Sequence, residues 1–141
     1  MKVFLDANVL FTAAHRPSGK AAFVISQGKE GFWEVVTSRL AVDEALRNLE
    51  AKLPGTADSL ERLLKTVSRV PTITGPKCPL ALPEKDAPIF LSAWRERATH
   101  LLTGDLRDFG RFMNRPEETC GVVIQTVAAF LDSLQRARSP T

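Results

Sequence analysis

A chain of 141 residues, 44% apolar and 25% charged, has the size and balance of one ordinary globular domain. No apolar run approaches the roughly 20 residues a membrane helix needs, and the acid of Met1-Lys2-Val3-Phe4-Leu5-Asp6 excludes a signal peptide there, so a cytosolic protein is expected. Cys78 and Cys120, outside any CxxC pair, and two histidines leave no zinc or disulfide framework, and a net charge of +3 permits a polyanionic partner without specifying one.

Val3-Phe4-Leu5 is a short apolar run without alternation, which predicts a strand buried on both faces. Ala21, Ala22, Phe23, Val24 and Ile25 predict a helix ending near Gly28, and Glu34–Thr37 a second strand. Ser38 is placed to cap a helix whose Val42, Ala45, Leu46 and Leu49 share one face, ended by Pro54-Gly55. A further helix is expected from Ala57 to Thr66 and a third strand at Arg69-Val70. Four prolines and a glycine make Pro71–Pro83 a long loop within the domain. A helix begins near Glu84, with Ile89, Phe90, Ala93 and Trp94 on one face and Pro88 in its first turn. Thr99–Thr103 and Gly121–Ile124 predict the fourth and fifth strands, and Thr126 opens the last helix. Residues 1–135 read as a single domain and 136–141 as a disordered tail. Strands alternating with helices imply a parallel α/β sheet.

Against these elements the acids fall in a pattern. Asp6 and Asp105 end the first and fourth strands, while Glu44 and Asp86 sit near helix starts on the same rim. In open parallel sheets ligands bind beyond the carboxyl ends of strands, at a switch in strand order. Carboxylates gathered there repel one another unless a cation compensates, and a hard divalent ion with oxygen ligands suits the set. Such an ion lowers the pKa of bound water and stabilises attacking and leaving oxygens, which supplies hydrolysis without a histidine base.

The segments Leu5-Asp6-Ala7-Asn8-Val9-Leu10, Ala41-Val42-Asp43-Glu44-Ala45-Leu46, Asp86–Ala93 and Thr103-Gly104-Asp105 with Asp108-Phe109 resemble, in order, the four motifs of PIN domains. The resemblance spans residues 1–134 and departs from the usual pattern at Pro88. It implies a three-layer α/β/α fold with a five-stranded parallel sheet of order 3-2-1-4-5. It also implies a metal-dependent endoribonuclease, in many bacterial and archaeal members the toxin of a toxin–antitoxin pair of the VapC type. By that resemblance Asp6, Glu44, Asp86 and Asp105 are the catalytic and metal-binding acids for Mg2+ or Mn2+, with Asn8, Thr103 and Asp108 in support. The expected partners are RNA, an antitoxin protein and a second copy in a homodimer, with no membrane.

Structural explanations compete residue by residue. Asp86 and Asp105 could cap helices, Asp105 with Asp108 as capping partner, and Glu44 could be a solvated first-turn acid. Asp6 could pair with Lys2, Asn8 could be a turn residue and Thr103 a β-branched strand residue. Arg107, Arg111 and Arg115 form one basic stripe if residues 106–114 are helical, which would serve RNA phosphates or simply face solvent. Trp33 and Trp94 are expected in the core. A non-catalytic PIN-like RNA-binding module is the rival function. A dehalogenase-type phosphatase would want a second aspartate where Asn8 stands, and no GxGxxG or P-loop is present.

Overall fold

Val3, Phe4 and Leu5 are wholly buried, as a strand covered on both faces requires, and they lie in strand β1 (Lys2–Leu5) at the centre of the sheet. In this computed structural model, residues 1–73, 75 and 77–138 are described. On one side β1 pairs in parallel with β2 (Glu34–Ser38), Val3 opposite Val35, and β2 with β3 (Ser68–Val70). On the other side β1 pairs with β4 (His100–Leu102), Phe4 opposite Leu101, and β4 with β5 (Val123–Gln125). The order is therefore β3-β2-β1-β4-β5, all parallel, and the direction of winding reverses between β1 and β4. Helices flank the sheet in the three-layer arrangement expected.

Helix α1 (Ala7–His15) is an element the sequence reading does not contain. Its apolar residues Val9, Leu10, Ala13 and Ala14 are buried on one face, and it packs on α2 (Lys20–Lys29), α3 (Arg39–Lys52) and α4 (Ala57–Leu63). The helix starts directly after β1 because Asp6, in an extended conformation, accepts a hydrogen bond from the Ala7 N–H at 2.7 Å. Ser38 caps α3 as expected, its hydroxyl accepting from the Ala41 N–H at 3.2 Å. Helix α5 (Ala87–Arg95) opens three residues later than expected: Glu84–Asp86 form a turn, and Pro88, which has no N–H to donate, falls within the first two helical positions. Helix α6 (Leu106–Phe109) is one turn, followed by a 3-10 turn at Gly110–Phe112. Helix α7 (Val127–Arg138) reaches three residues into the segment expected as a tail, and 139–141 lie outside the described residues.

Two side chains fasten the chain just after β3. Thr72 Oγ1 accepts from the Leu40 N–H at 3.0 Å, and the buried Ser92 hydroxyl accepts from the Ile73 N–H at 3.1 Å. Trp33 is buried, its indole N–H donating to the Val24 carbonyl at 3.0 Å. Trp94, expected in the core, is 42% exposed instead: it stands in the last turn of α5, its ring tilted against that of the buried Phe90 at 6.0 Å. Cys78 and Cys120 are free thiols, and Cys120 is exposed. Among the described residues no helix is long and apolar enough to cross a membrane.

Gly28, on α2, lies against Val35 of β2. A Cβ at this position would lie 2.4 Å from Val35 Cγ2, a branched, buried side chain with no room to turn. Gly28→Ala is expected to lower stability by about 1–3 kcal/mol through overpacking, which exceeds the roughly 1 kcal/mol that alanine adds to helix propensity. Urea denaturation measures the difference, and a midpoint equal to or above wild type would show that α2 can slide off β2.

Candidate metal centre

The reversal between β1 and β4 leaves a crevice beyond the ends of those strands, and the Asp6 N–H still donates to the Leu102 carbonyl at 3.1 Å there. Asp6 is buried at 5% exposure, and no ion pair reaches it among the described residues. Lys2, the alternative partner, is held elsewhere, donating to the Glu96 carbonyl at 3.0 Å and lying 4.0 Å from Glu34. Asp6 Oδ2 instead accepts from Thr103 Oγ1 at 2.8 Å and Asn8 Nδ2 at 3.2 Å. Asn8 Nδ2 also reaches Thr103 Oγ1 at 3.2 Å, and its Oδ1 accepts from the Gly104 N–H at 2.7 Å. Asn8 and Thr103 thus orient one carboxylate and tie the end of β1 to the turn after β4.

Three carboxylates meet beside this network. Oxygens of Asp86, Asp105 and Asp108 lie within 4.8 Å of one another. Asp105 does cap α6, its Oδ1 accepting from the Asp108 N–H at 3.1 Å. Asp86 makes no such bond at α5, so capping does not account for it. Its Oδ2 is buried and accepts no hydrogen bond, although Lys85 Nζ stands 3.2 Å away. Lys85 Nζ also lies 3.1 Å from Asp108 Oδ2 and 4.0 Å from Asp105 Oδ2.

Glu44, half-buried on α3, joins the group electrostatically. Burial pushes its carboxyl pKa up, and the charge of Asp6 pushes in the same direction, while Arg47 and Lys85 oppose. Burial likewise raises Asp6, against the hydrogen bonds from Thr103 and Ala7, and the nearby charge of Asp105 adds to the rise. Asp86 is pushed up to about 6, first by burial and then by its hydrogen-bonded neighbour Asp108. Asp108 is held below the usual carboxylate range, chiefly by the Lys85 ammonium, and Lys85 is raised in return by Asp108 and Asp86. The four expected acids therefore sense one another directly or through Lys85.

Two features escape the sequence reading. Asp108, expected only in support, has an oxygen in the tight group with Asp86 and Asp105. Lys85 has no periodicity to mark it, although its adjacency to Asp86 was the available signal. The arginine stripe does not form, because α6 ends at Phe109 and the chain tightens into a 3-10 turn, breaking the four-residue register. Arg111 lies over the Phe112 ring, 4.8 Å from its centroid, and Arg115 pairs with Glu118 at 3.4 Å. Alongside, a cavity of about 570 Å3 shares Asn8 and Gly104 with the crevice and is lined by Arg16 and Lys20.

No protein-family model and no curated protein sequence matches the chain. Solved structures do. VapBC2 from Rickettsia felis, determined bound to a DNA fragment from its promoter, superposes with a TM-score of 0.64 at 15% identity, covering 89% of this chain and 98% of that one. A PilT N-terminus domain protein from Sulfolobus solfataricus P2 gives 0.59 at 16% identity, with 94% and 92% covered. VapC20 of Mycobacterium tuberculosis, a Sarcin-Ricin loop cleaving toxin, gives 0.50 at 10% identity, with 73% and 91% covered. With the strand order and the winding reversal already in place, these likenesses identify the fold: the chain has the fold of the PilT N-terminus, or PIN, domain.

Proposed function

We propose that the protein is a metal-dependent endoribonuclease acting through Asp6, Glu44, Asp86, Asp105 and Asp108 with Mg2+ or Mn2+. The observation that carries this reading is the meeting of Asp86, Asp105 and Asp108 oxygens within 4.8 Å of one another, beside the buried Asp6, at the winding reversal. The donor set fits a hard divalent ion: all oxygens, several of them carboxylate, and one of them, Asp86 Oδ2, buried without a hydrogen bond. A bound ion would supply Lewis acidity and an activated water. The chain itself contributes the rest. Asn8 and Thr103 fix the orientation of Asp6, and Glu44 adds negative charge from the α3 side. The cavity lined by Arg16 and Lys20 offers cationic side chains to a phosphate backbone approaching the crevice. Arg107, exposed on α6 beside Asp108, is the member of the arginine set placed to join them.

The reading extends to a toxin held by an antitoxin partner, and to a homodimer. It is supported by the motif resemblance, by the VapBC2 neighbour and by the neighbour described as a Sarcin-Ricin loop cleaving toxin.

Cleavage of labelled single-stranded RNA with Mg2+ or Mn2+, abolished by a chelator and restored by added metal, tests it. A folded protein that binds RNA but cuts none, on several RNAs and with both ions, would replace this reading with a binding module. Metal affinity has its own signature. Asp86 at about 6, with Asp6 and Glu44 also raised, holds protons that a cation must displace. Raised carboxylate pKa values mean that affinity grows as pH rises through them and is lost below. Between pH 7 and pH 5 the Mn2+ dissociation constant is expected to rise by roughly tenfold for Asp86 alone, followed by calorimetric titration. A flat profile would remove Asp86 from the ligand set.

A further inference from the structure

Lys85 is the one cation that ion-pairs with Asp86, Asp105 or Asp108 among the described residues. Its Nζ touches the same three side chains whose oxygens would take a metal, at 3.1 Å from Asp108, 3.2 Å from Asp86 and 4.0 Å from Asp105. It reaches them from the turn just before α5, at the end of the loop fastened by Thr72 and Ser92. From these contacts we propose that Lys85 is an internal counter-ion of the acidic group, which a divalent cation must displace, so that this one side chain sets the metal affinity of the site. The inference rests on the nuclease reading of the same acids.

The electrostatics favour exchange. One ammonium charge faces three carboxylates, so the group keeps excess negative charge that a divalent ion neutralises better. The ammonium donates to Asp86 Oδ1 at 3.3 Å and lies 3.2 Å from Oδ2 without a hydrogen bond to it, so it compensates that buried oxygen by charge alone. A divalent ion on these oxygens and an ammonium on the same oxygens would be two cations in contact, and one must go. Lys85 is the one able to leave: its side chain is 66% exposed and has a flexible four-carbon stem leading to water. The acids are partly buried and stay. In the metal-free protein Lys85 thus relieves the repulsion that would otherwise splay the α5 and α6 ends apart. In the loaded protein its ammonium is released at the rim of the crevice.

Mn2+ titration of the metal-free full-length chain by calorimetry tests the idea, comparing wild type with Lys85→Met, Lys85→Arg and Arg47→Met. Methionine keeps the length of the stem and removes the charge. Lys85→Met is expected to bind Mn2+ about tenfold tighter, and Lys85→Arg no tighter than wild type. Arg47→Met removes a charge that acts on Glu44 without touching the three acids, and is expected to tighten binding by less than about threefold. Equal or weaker binding by Lys85→Met, or equal tightening by Arg47→Met, overturns the proposal and leaves the metal centre standing. No binding by wild type or variant overturns both.

A measurement on wild type guards against a Lys85→Met protein that fails to fold. The NMR resonance of the Lys85 ε-methylene should move toward that of a free lysine as Mg2+ saturates the site. A resonance that stays in place at saturation overturns the proposal.

Discussion

Asp6→Asn is expected to lower RNA cleavage by roughly a thousandfold while leaving the metal-free protein about as stable as wild type. The two halves of this expectation come from the same geometry. Asp6 is the most enclosed of the acids, and its oxygens are already turned by Ala7, Asn8 and Thr103, so removing its charge removes a prearranged ligand. Burial dominates its electrostatics and raises its pKa. A carboxyl with a raised folded pKa favours folding most below its ordinary pKa, and that contribution is lost as pH rises through the folded value. At neutral pH the charge is therefore a burden on the metal-free fold, which asparagine relieves. Against this, an asparagine whose one accepting oxygen takes the Oδ2 place facing Asn8 and Thr103 turns its NH2 toward the Ala7 N–H and loses that hydrogen bond, a cost of about 1 kcal/mol. The two effects nearly cancel. Labelled-RNA cleavage with Mg2+ or Mn2+ and thermal melting in a chelator measure both halves. A variant that cuts within about tenfold of wild type would refute the catalytic assignment. A variant that loses both its fold and its activity would make Asp6 a structural residue of the β1–α1 junction.

How much of this was legible in the sequence depends on the range of the interaction. Strands β1 and β4 announce themselves as buried runs, and the acids at their ends follow from where the runs stop at Asp6 and Asp105. The Ser38 cap is a local signal and is used as read. Helix α1 is hidden because Asp6 both ends a strand and caps a helix, leaving no turn residues between them, while Asn8 resembles a turn residue. The arginine spacing of four residues promises a helical stripe only if the helix persists, and α6 stops after one turn. Lys85 bridges residues up to 23 positions away, from the Asp86 turn to Asp108, and no periodicity encodes a meeting between two segments. Asp108, expected only in support, joins the acids for the same reason. Its partner Asp86 stands in the turn before α5, and a hydrogen bond from the Ile73 N–H to the Ser92 hydroxyl on that helix is not marked in the sequence either.

Thr103 connects the orientation of Asp6 to the turn that carries Asp105, and this gives the second large effect. Its side chain is fully buried, and its one hydroxyl serves three partners. It donates to Asp6 Oδ2 at 2.8 Å and accepts from Asn8 Nδ2 at 3.2 Å and from the Asp105 N–H at 3.1 Å. Thr103→Val keeps the shape and removes all three bonds, taking from the buried Asp6 Oδ2 one of its two donors and from the Asp105 N–H its acceptor. The expected cost is about 2–4 kcal/mol by urea denaturation, with cleavage falling roughly a hundredfold as the Asp6 ligand loses its alignment. Thr103→Ser, which keeps the hydroxyl, should recover most of both. The pH dependence separates alignment from simple destabilisation. The Thr103 hydrogen bond is the largest influence holding the Asp6 pKa down, so its loss drives that pKa higher still. At a given pH more of Asp6 is then protonated than in wild type, and raising the pH should restore part of the activity of Thr103→Val. The rising limb of the cleavage profile should therefore move to higher pH than in wild type. A profile of unchanged position, merely lower in height, would show that Thr103 supports the fold without governing the charge state of Asp6.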